Sequence, residues 1–404
     1  MRAFLFLLLV ALAAPLPAQD KDKGPTVRPE VGKPLQAAID LLKQRRGKEA
    51  LAQARAAQAV PDKTPYETYL VTRVLGQAAA TAGDNATAAS ALESAATSAA
   101  APEADRRQLL AAAAGQYYAL KEYSKAATVA NRYLQAGGTD KSIRTIYVQS
   151  LYLAGNFAAA ARELAHDVDA EEAAGRPPAE EQLQLLANAH LQAKDSLQYS
   201  RAMEKLVAYY PKRDYWLNVQ QTVMSRPGFN ERLAIDVARL KLETGTLRSA
   251  QEYLDFAQLA LIEGFPAEAV KVIDKGYAAG VLGSGGEAER HRRLKDLAAK
   301  NLAEDKKTIA ADEKQGAVKD GKTLFNEGYN YVLHGRTEKG LSMMLQGIKG
   351  PGFTRPDHAK LQLGYAYHLA GQGAKALEMF KTVQGSDGAA ALARLRVIRL
   401  SRTT

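Results

Sequence analysis

The chain has 404 residues, 24% of them charged and 47% hydrophobic, with 54 Lys and Arg against 44 Asp and Glu for a formal charge of +10. It contains no Cys, which excludes disulfides and thiol nucleophiles and leaves the fold to packing alone. Only 15 prolines and abundant alanine favour helix over sheet, so the expected fold class is all-α.

The first residues read as a secretory signal. Arg2 gives a charged start, Phe4 to Ala14 form a short apolar core (FLFLLLVALAA), and small residues follow up to Ala18. The expectation is export by the Sec route, cleavage near Ala18 and a periplasmic chain with signal peptide 1–18. The apolar run stops at Pro15, short of the roughly 20 residues that cross a bilayer, so the mature chain is expected to have no transmembrane segment. Cleavage would remove one Arg and no acid, leaving a formal +9. That excess can steer the chain towards acidic partners, anionic lipid or wall polyanions. No stretch combines basic density with interleaved aromatics, so no nucleic acid is expected among the partners. Residues 19–34 (QDKDKGPTVRPEVGKP) are polar and aperiodic, and are expected to form a flexible leader.

From Leu35 onward alanine-rich helical stretches alternate with short breaks. LLKQRRGKEALAQA breaks near Arg45, and LGQAAATAGDNATAASAL at Gly83 between Leu75-Gly76 and Ala88-Leu92. AAAAGQYYALKEYSKAA breaks at Lys121 between Tyr117 and Ala126; YVQSLYLAGNFAAAAREL does so at Gly155, with Leu151, Ala160 and Leu164 in step. DVDAEEAAGRPPAEE, residues 167–181, lengthens one connection before LLANAHLQAKDSLQYSRAM, which turns near Lys194. WLNVQQTVMSRPGFNERLAIDV turns near Pro227, and YLDFAQLALIEGFPAEAVKVI at Gly264 with Phe256, Ala257, Ala269 and Ile273. GVLGSGGE (280–287) is glycine-rich, and a weaker unit, LKDLAAKNLAEDKKTIA, is expected to turn around residue 300. FNEGYNYVLHGRTEKGLSMM then places Gly328, Tyr331, Gly340 and Met344 around Gly335. LQLGYAYHLAGQGAKALEMF places Leu363, Gly364, Tyr367, Ala376 and Phe380 around Gly371.

These residues fall at the offsets L-G-x-x-Y…A-x-x-x-F, and the chain resembles the tetratricopeptide repeat (TPR) family. Turns near 45, 83, 121, 155, 194, 227, 264, 300, 335 and 371 recur about every 36 residues, close to the family period of roughly 34. The resemblance implies a right-handed α-solenoid of about ten helix-turn-helix TPR-like repeats and about twenty helices. The expected division is 35–280 for the N-terminal and central repeats, 281–322 for an irregular helical segment, and 323–404 for the C-terminal repeats.

No catalytic or metal constellation accompanies the repeats. His166, His190, His291, His334, His358 and His368 never take a two-ligand helical spacing, so no metal is expected. There is no G-x-S-x-G elbow, and Gly283-Ser284-Gly285-Gly286 lacks the Lys and hydroxyl residue of a phosphate loop. Adjacent acids such as Glu171-Glu172 and Glu180-Glu181 diverge on a helix. The basic run 287–307 alternates with acids and reads as an exposed helix. The expectation is a protein that is not an enzyme and takes no cofactor.

In the family the first helix of each repeat lines a concave groove. The resemblance therefore assigns a partner-binding groove to Arg73, Gln77, Tyr118, Gln149, Tyr152, Asn188, Gln258, Phe325, Tyr329, Tyr365 and His368. Amides suit extended backbone and aromatics suit apolar anchors. The implied function is a non-catalytic scaffold or adaptor of a bacterial envelope assembly, binding other proteins along the groove. The alternatives are a binder of wall glycan or another polyanion and, third, an enzyme of unrecognised type.

Overall fold

The computed structural model describes residues 26–315, 320–350 and 353–401, so the expected signal and most of the leader lie outside the described residues. Every regular element among them is helical. The first four hairpins are α1 (Pro29–Lys43) with α2 (Gly47–Ala59), α3 (Pro65–Ala82) with α4 (Asn85–Thr97), α5 (Glu103–Ala119) with α6 (Tyr123–Gln135), and α7 (Lys141–Leu153) with α8 (Phe157–Ala173). Three more follow: α9 (Glu180–Gln192) with α10 (Ser196–Tyr209), α11 (Arg213–Met224) with α12 (Ala234–Glu243), and α13 (Ala250–Ile262) with α14 (Pro266–Ala278). A single long helix, α15 (Ala288–Gln315), then precedes α16 (Gly321–Leu333) with α17 (Thr337–Gly347) and α18 (Pro356–Leu369) with α19 (Gly373–Lys381). Helix α20 (Ala389–Leu400) ends the described chain.

Several helices start where a side chain accepts from a first-turn N–H group or where a proline ring removes one. Thr64 and Ser249 form capping boxes with Glu67 and Glu252, Asp84, Asp140, Asp195 and Asp320 accept from the first turn, and Pro65, Pro266 and Pro356 occupy the opening positions. The turns inside the hairpins are closed by one repeated device. At Arg45, Gly83, Lys121, Gly155, Lys194, Gly264, Gly335 and Gly371 the backbone turns left-handed. There two successive N–H groups reach back into the last helical turn, as Gly83 donates to the Ala80 carbonyl and Asp84 to that of Ala79. The same bond pair recurs at the other seven positions. At the remaining connection, between α11 and α12, Gly228 is left-handed but a short 3-10 turn, Glu231–Leu233, follows it.

Within each hairpin the small residues of the repeat pattern set the helix spacing. A Cβ on Gly364 would lie 2.7 Å from the Phe380 ring, and one on Gly328 2.6 Å from the Gly340 carbonyl oxygen, so both contacts require glycine.

Two expectations change. Helix α1 begins at Pro29, so part of the expected leader is helical; proline is tolerated in a first helical turn, and Glu67 accepts from both the backbone and the side chain of Arg28 to hold that start. Residue 300 lies inside an unbroken 28-residue α15. AAKNLAEDKK holds no glycine or proline, and the expected turn there rested on period alone. Among the described residues nine hairpins and two further helices therefore make up the twenty or so helices expected of about ten repeats.

The chain divides into two compact units, residues 1–160 and 161–404. In the first unit successive helices pack in order, and first helices also lie side by side, α1 on α3 and α5 on α7. Its core is dominated by alanine, including Ala50, Ala54, Ala78, Ala79, Ala88, Ala113 and Ala130, which allows close approach of the helices.

In the second unit the lone α15 changes the alternation. It packs on α13 and α14, so the next first helix, α16, lies against the second helix α14. Helix α18 packs on α16, α20 on α18, and α20 also on α10 and α12. The inner layer of this unit therefore runs α14, α16, α18, α20 and back to α10 and α12.

Candidate binding faces

The centre of that inner layer is Arg239 on α12, which is 1% exposed. Its guanidinium donates to both carboxylate oxygens of Glu268 at 2.8 and 2.7 Å and to Asp236 at 3.0 Å. The rings of Tyr329, Tyr365 and Phe265 lie 5.0, 5.2 and 5.8 Å from it. Burial is the largest influence and opposes the charge, but Glu268, Tyr329 and Asp236 together outweigh it and raise the Arg239 pKa well above its ordinary value. The site thus joins α12, α14, α16 and α18 through one cation, its acids and three aromatic faces.

Helix α20 closes the same layer with two more arginines. Arg396 sits 4.4 Å from the Tyr365 ring and donates to Glu243 at 2.5 Å. Arg394 makes a bidentate pair with Glu204 of α10, at 2.9 and 2.8 Å. Arg201 also donates to Glu204, at 3.1 Å. Nearby Arg226 has a buried Nη2 with no hydrogen-bond partner. Burial pushes the Arg226 pKa down; Glu204 raises it, while Arg394 and Arg201 lower it further.

The sequence-assigned groove residues accordingly separate into three groups. In the second unit Phe325, Tyr329 and Tyr365 are buried at 1%, 0% and 7% exposure, as interior residues. This corrects their assignment to an open groove. Phe325 packs on Phe353 and Tyr329 on Phe265 and Arg239, while Tyr365 lies between Arg239 and Arg396 of α20, so α16 and α18 turn these rings inward. His368 is partly exposed beside Glu243, 3.7 Å away, and burial lowers its pKa. Asn188 on α9 and Gln258 on α13 are exposed, on the other layer.

In the first unit Arg73, Gln77, Tyr118, Gln149 and Tyr152 are all partly exposed on the first helices α3, α5 and α7. Tyr118 donates its hydroxyl to Gln149 at 2.8 Å, and its ring meets Tyr123 edge-on. Tyr152 meets Phe157 in the same way at 5.2 Å. Arg73 pairs with Asp105 at 2.6 Å and is 19% exposed, which makes it a fixture between α3 and α5. Sequence reasoning passed over Tyr123 and Phe157, which open the second helices just after the turn. Their signal was an aromatic shortly after each left-handed residue.

The offsets L-G-x-x-Y…A-x-x-x-F, the left-handed turns and the glycine contacts coincide in the same hairpins. These hairpins are similar to those of tetratricopeptide repeats. No protein-family model matches the sequence, and no curated protein matches it significantly. Among solved structures, the TPR2AB domain of yeast Sti1 in a pHSP90 complex is similar at 16% identity, with a TM-score of 0.32 over 67% of this chain and 98% of that one. A tetratricopeptide repeat protein from Parabacteroides merdae is similar at 15% identity and TM-score 0.32, covering 67% and 99%. Yeast Tom70 is similar at 12% identity and TM-score 0.25, covering 92% and 96%.

Among the described residues no group of three or more His, Asp or Glu side chains is placed to hold a metal ion. No described helix is long and apolar enough to cross a membrane.

Proposed function

We propose that this chain is a protein-binding scaffold of the bacterial envelope, exported by its N-terminal signal, and that a partner segment lies along α3, α5 and α7 of the first unit. The observation that carries this reading is the partly exposed row of Gln77, Tyr118, Gln149 and Tyr152 on consecutive first helices. Gln77 and Gln149 supply donors and acceptors for extended backbone, and Tyr118 and Tyr152 supply flat apolar faces with polar tips. The partner chemistry is therefore an extended peptide with apolar side chains at intervals. The corresponding aromatics of the second unit are buried in its own interior, which moves the partner face towards the N-terminal hairpins.

The test places a photo-crosslinking residue at Tyr118 or Tyr152 in living cells and identifies adducts by mass spectrometry. One discrete protein adduct that vanishes in Q77A/Q149A is expected; adducts unchanged by those substitutions would refute the face. A polyanion reading is separated by salt, since affinity for a polyanion collapses between low and moderate salt.

A further inference from the structure

Helix α20 is held by ion pairs on both flanks. Residues two apart on an α-helix point about 200° from each other, so Arg394 and Arg396 reach opposite flanks of α20. One finds Glu204 on α10, and the other finds Glu243 on α12. Leu392 and Leu395, 1% and 0% exposed, supply the apolar ground between them. The segment leading in carries left-handed Gly385 and Gly388, and the Asp387 carbonyl accepts from the backbone of Asn230.

The docking is also electrically unfinished. Three guanidinium groups, Arg201, Arg226 and Arg394, gather around the single carboxylate of Glu204, and Arg226 keeps a buried nitrogen without a partner. A buried donor left unmade weighs against the state that contains it. Docking α20 brings Arg394 onto the carboxylate that Arg201 already uses and into like-charge range of Arg226, and this repulsion makes closure weaker than its hydrophobic burial alone implies.

We propose that α20 is an internal, exchangeable occupant of an acid-lined helix-binding face formed by α10, α12 and α18. The external partner this face fits is an amphipathic helix with two arginines spaced i, i+2 on an apolar ground. The inference rests on the protein-binding reading above but concerns a different face. A segment tethered by a short linker acts at an effective concentration of order millimolar, so a partner at micromolar concentration competes only if it binds about a thousand-fold more tightly. The unit is thus held closed until a helix of better fit arrives.

The probe is a fluorescently labelled peptide with the sequence of residues 388–401, titrated into the full chain and into full-chain R394A/R396A. The variant, whose own α20 is weakened, is expected to bind the peptide at least tenfold more tightly than the unaltered chain. Adding E204Q and E243Q is expected to remove the gain. A well-folded variant that binds the peptide no better than the unaltered chain overturns the proposal. If R394A/R396A fails to fold, hydrogen exchange on the unaltered chain decides. Amides of α20 are expected to exchange at least tenfold faster than those of α18, and equal protection of the two overturns the proposal. Tyr118 and Tyr152 crosslinks that persist alongside a negative result here would leave the first-unit scaffold standing; their loss alongside a positive result would do the reverse.

Discussion

Tyr329 concentrates the difference between what its repeat position implies and where the chain puts it. Its ring packs 4.8 Å from Phe265 and beneath Arg239, while its hydroxyl is buried with no hydrogen-bond partner. The ring therefore stabilises the interior and the oxygen does not. Burial drives its pKa far above the ordinary tyrosine value, so the hydroxyl stays neutral at any working pH. Two substitutions separate these parts. Tyr329→Phe removes an unpaired polar atom and is expected to be neutral or stabilising by up to about 1 kcal/mol. Tyr329→Ala opens a cavity under the guanidinium and is expected to destabilise by about 3 to 5 kcal/mol. Urea denaturation of the two variants measures both, and a loss above about 1 kcal/mol for the phenylalanine would show that the oxygen is bonded.

At the scale of elements the sequence was legible wherever a turn is chemically marked. Gly83, Gly155, Gly264, Gly335 and Gly371 were expected as turns and adopt left-handed backbone. Arg45, Lys121 and Lys194 do the same without glycine, at a steric cost of about 1 to 2 kcal/mol each. Their positions were readable because the period agreed with a local break in apolar spacing. Around residue 300 the period had no such local support, and the charged stretch continued as helix. The hairpin-internal contacts were readable too, since Gly364 and Phe380 must meet whichever way a hairpin faces. The orientation of α16 and α18 was not readable, because it depends on whether the helices between hairpins are even or odd in number. A break in α15 tests its continuity. Lys300→Pro lies mid-helix and is expected to cost about 3 kcal/mol or more, with lost protection at α16 as well as at α15 in hydrogen exchange. A substitution that is silent at α16 would mean that α15 does not position it.

Across the whole chain the two units hold together by different means. The first relies on close-packed alanine, together with clamps such as Arg28 on Glu67, which the guanidinium holds down to a pKa of about 2. The second adds a buried ionic centre. Removing the charge of Glu268 leaves the buried Arg239 with Asp236 as its remaining carboxylate partner, and Glu268→Gln is expected to cost about 1 to 3 kcal/mol. Because the centre draws only on residues of the second unit, exchange rates of α1 to α7 are expected to be unchanged in that variant. Acceleration across those helices would show one cooperative structure instead of two.

The single helix α15 also bears on how such a chain can change length. Gain or loss of a hairpin adds or removes two helices and leaves every later first helix on its original side. Gain or loss of one helix inverts all of them, exposing Tyr329 and Tyr365 and burying residues suited to water. In the second unit, therefore, tolerated insertions and deletions are expected to come in pairs of helices, with α15 setting the count from which those pairs are reckoned.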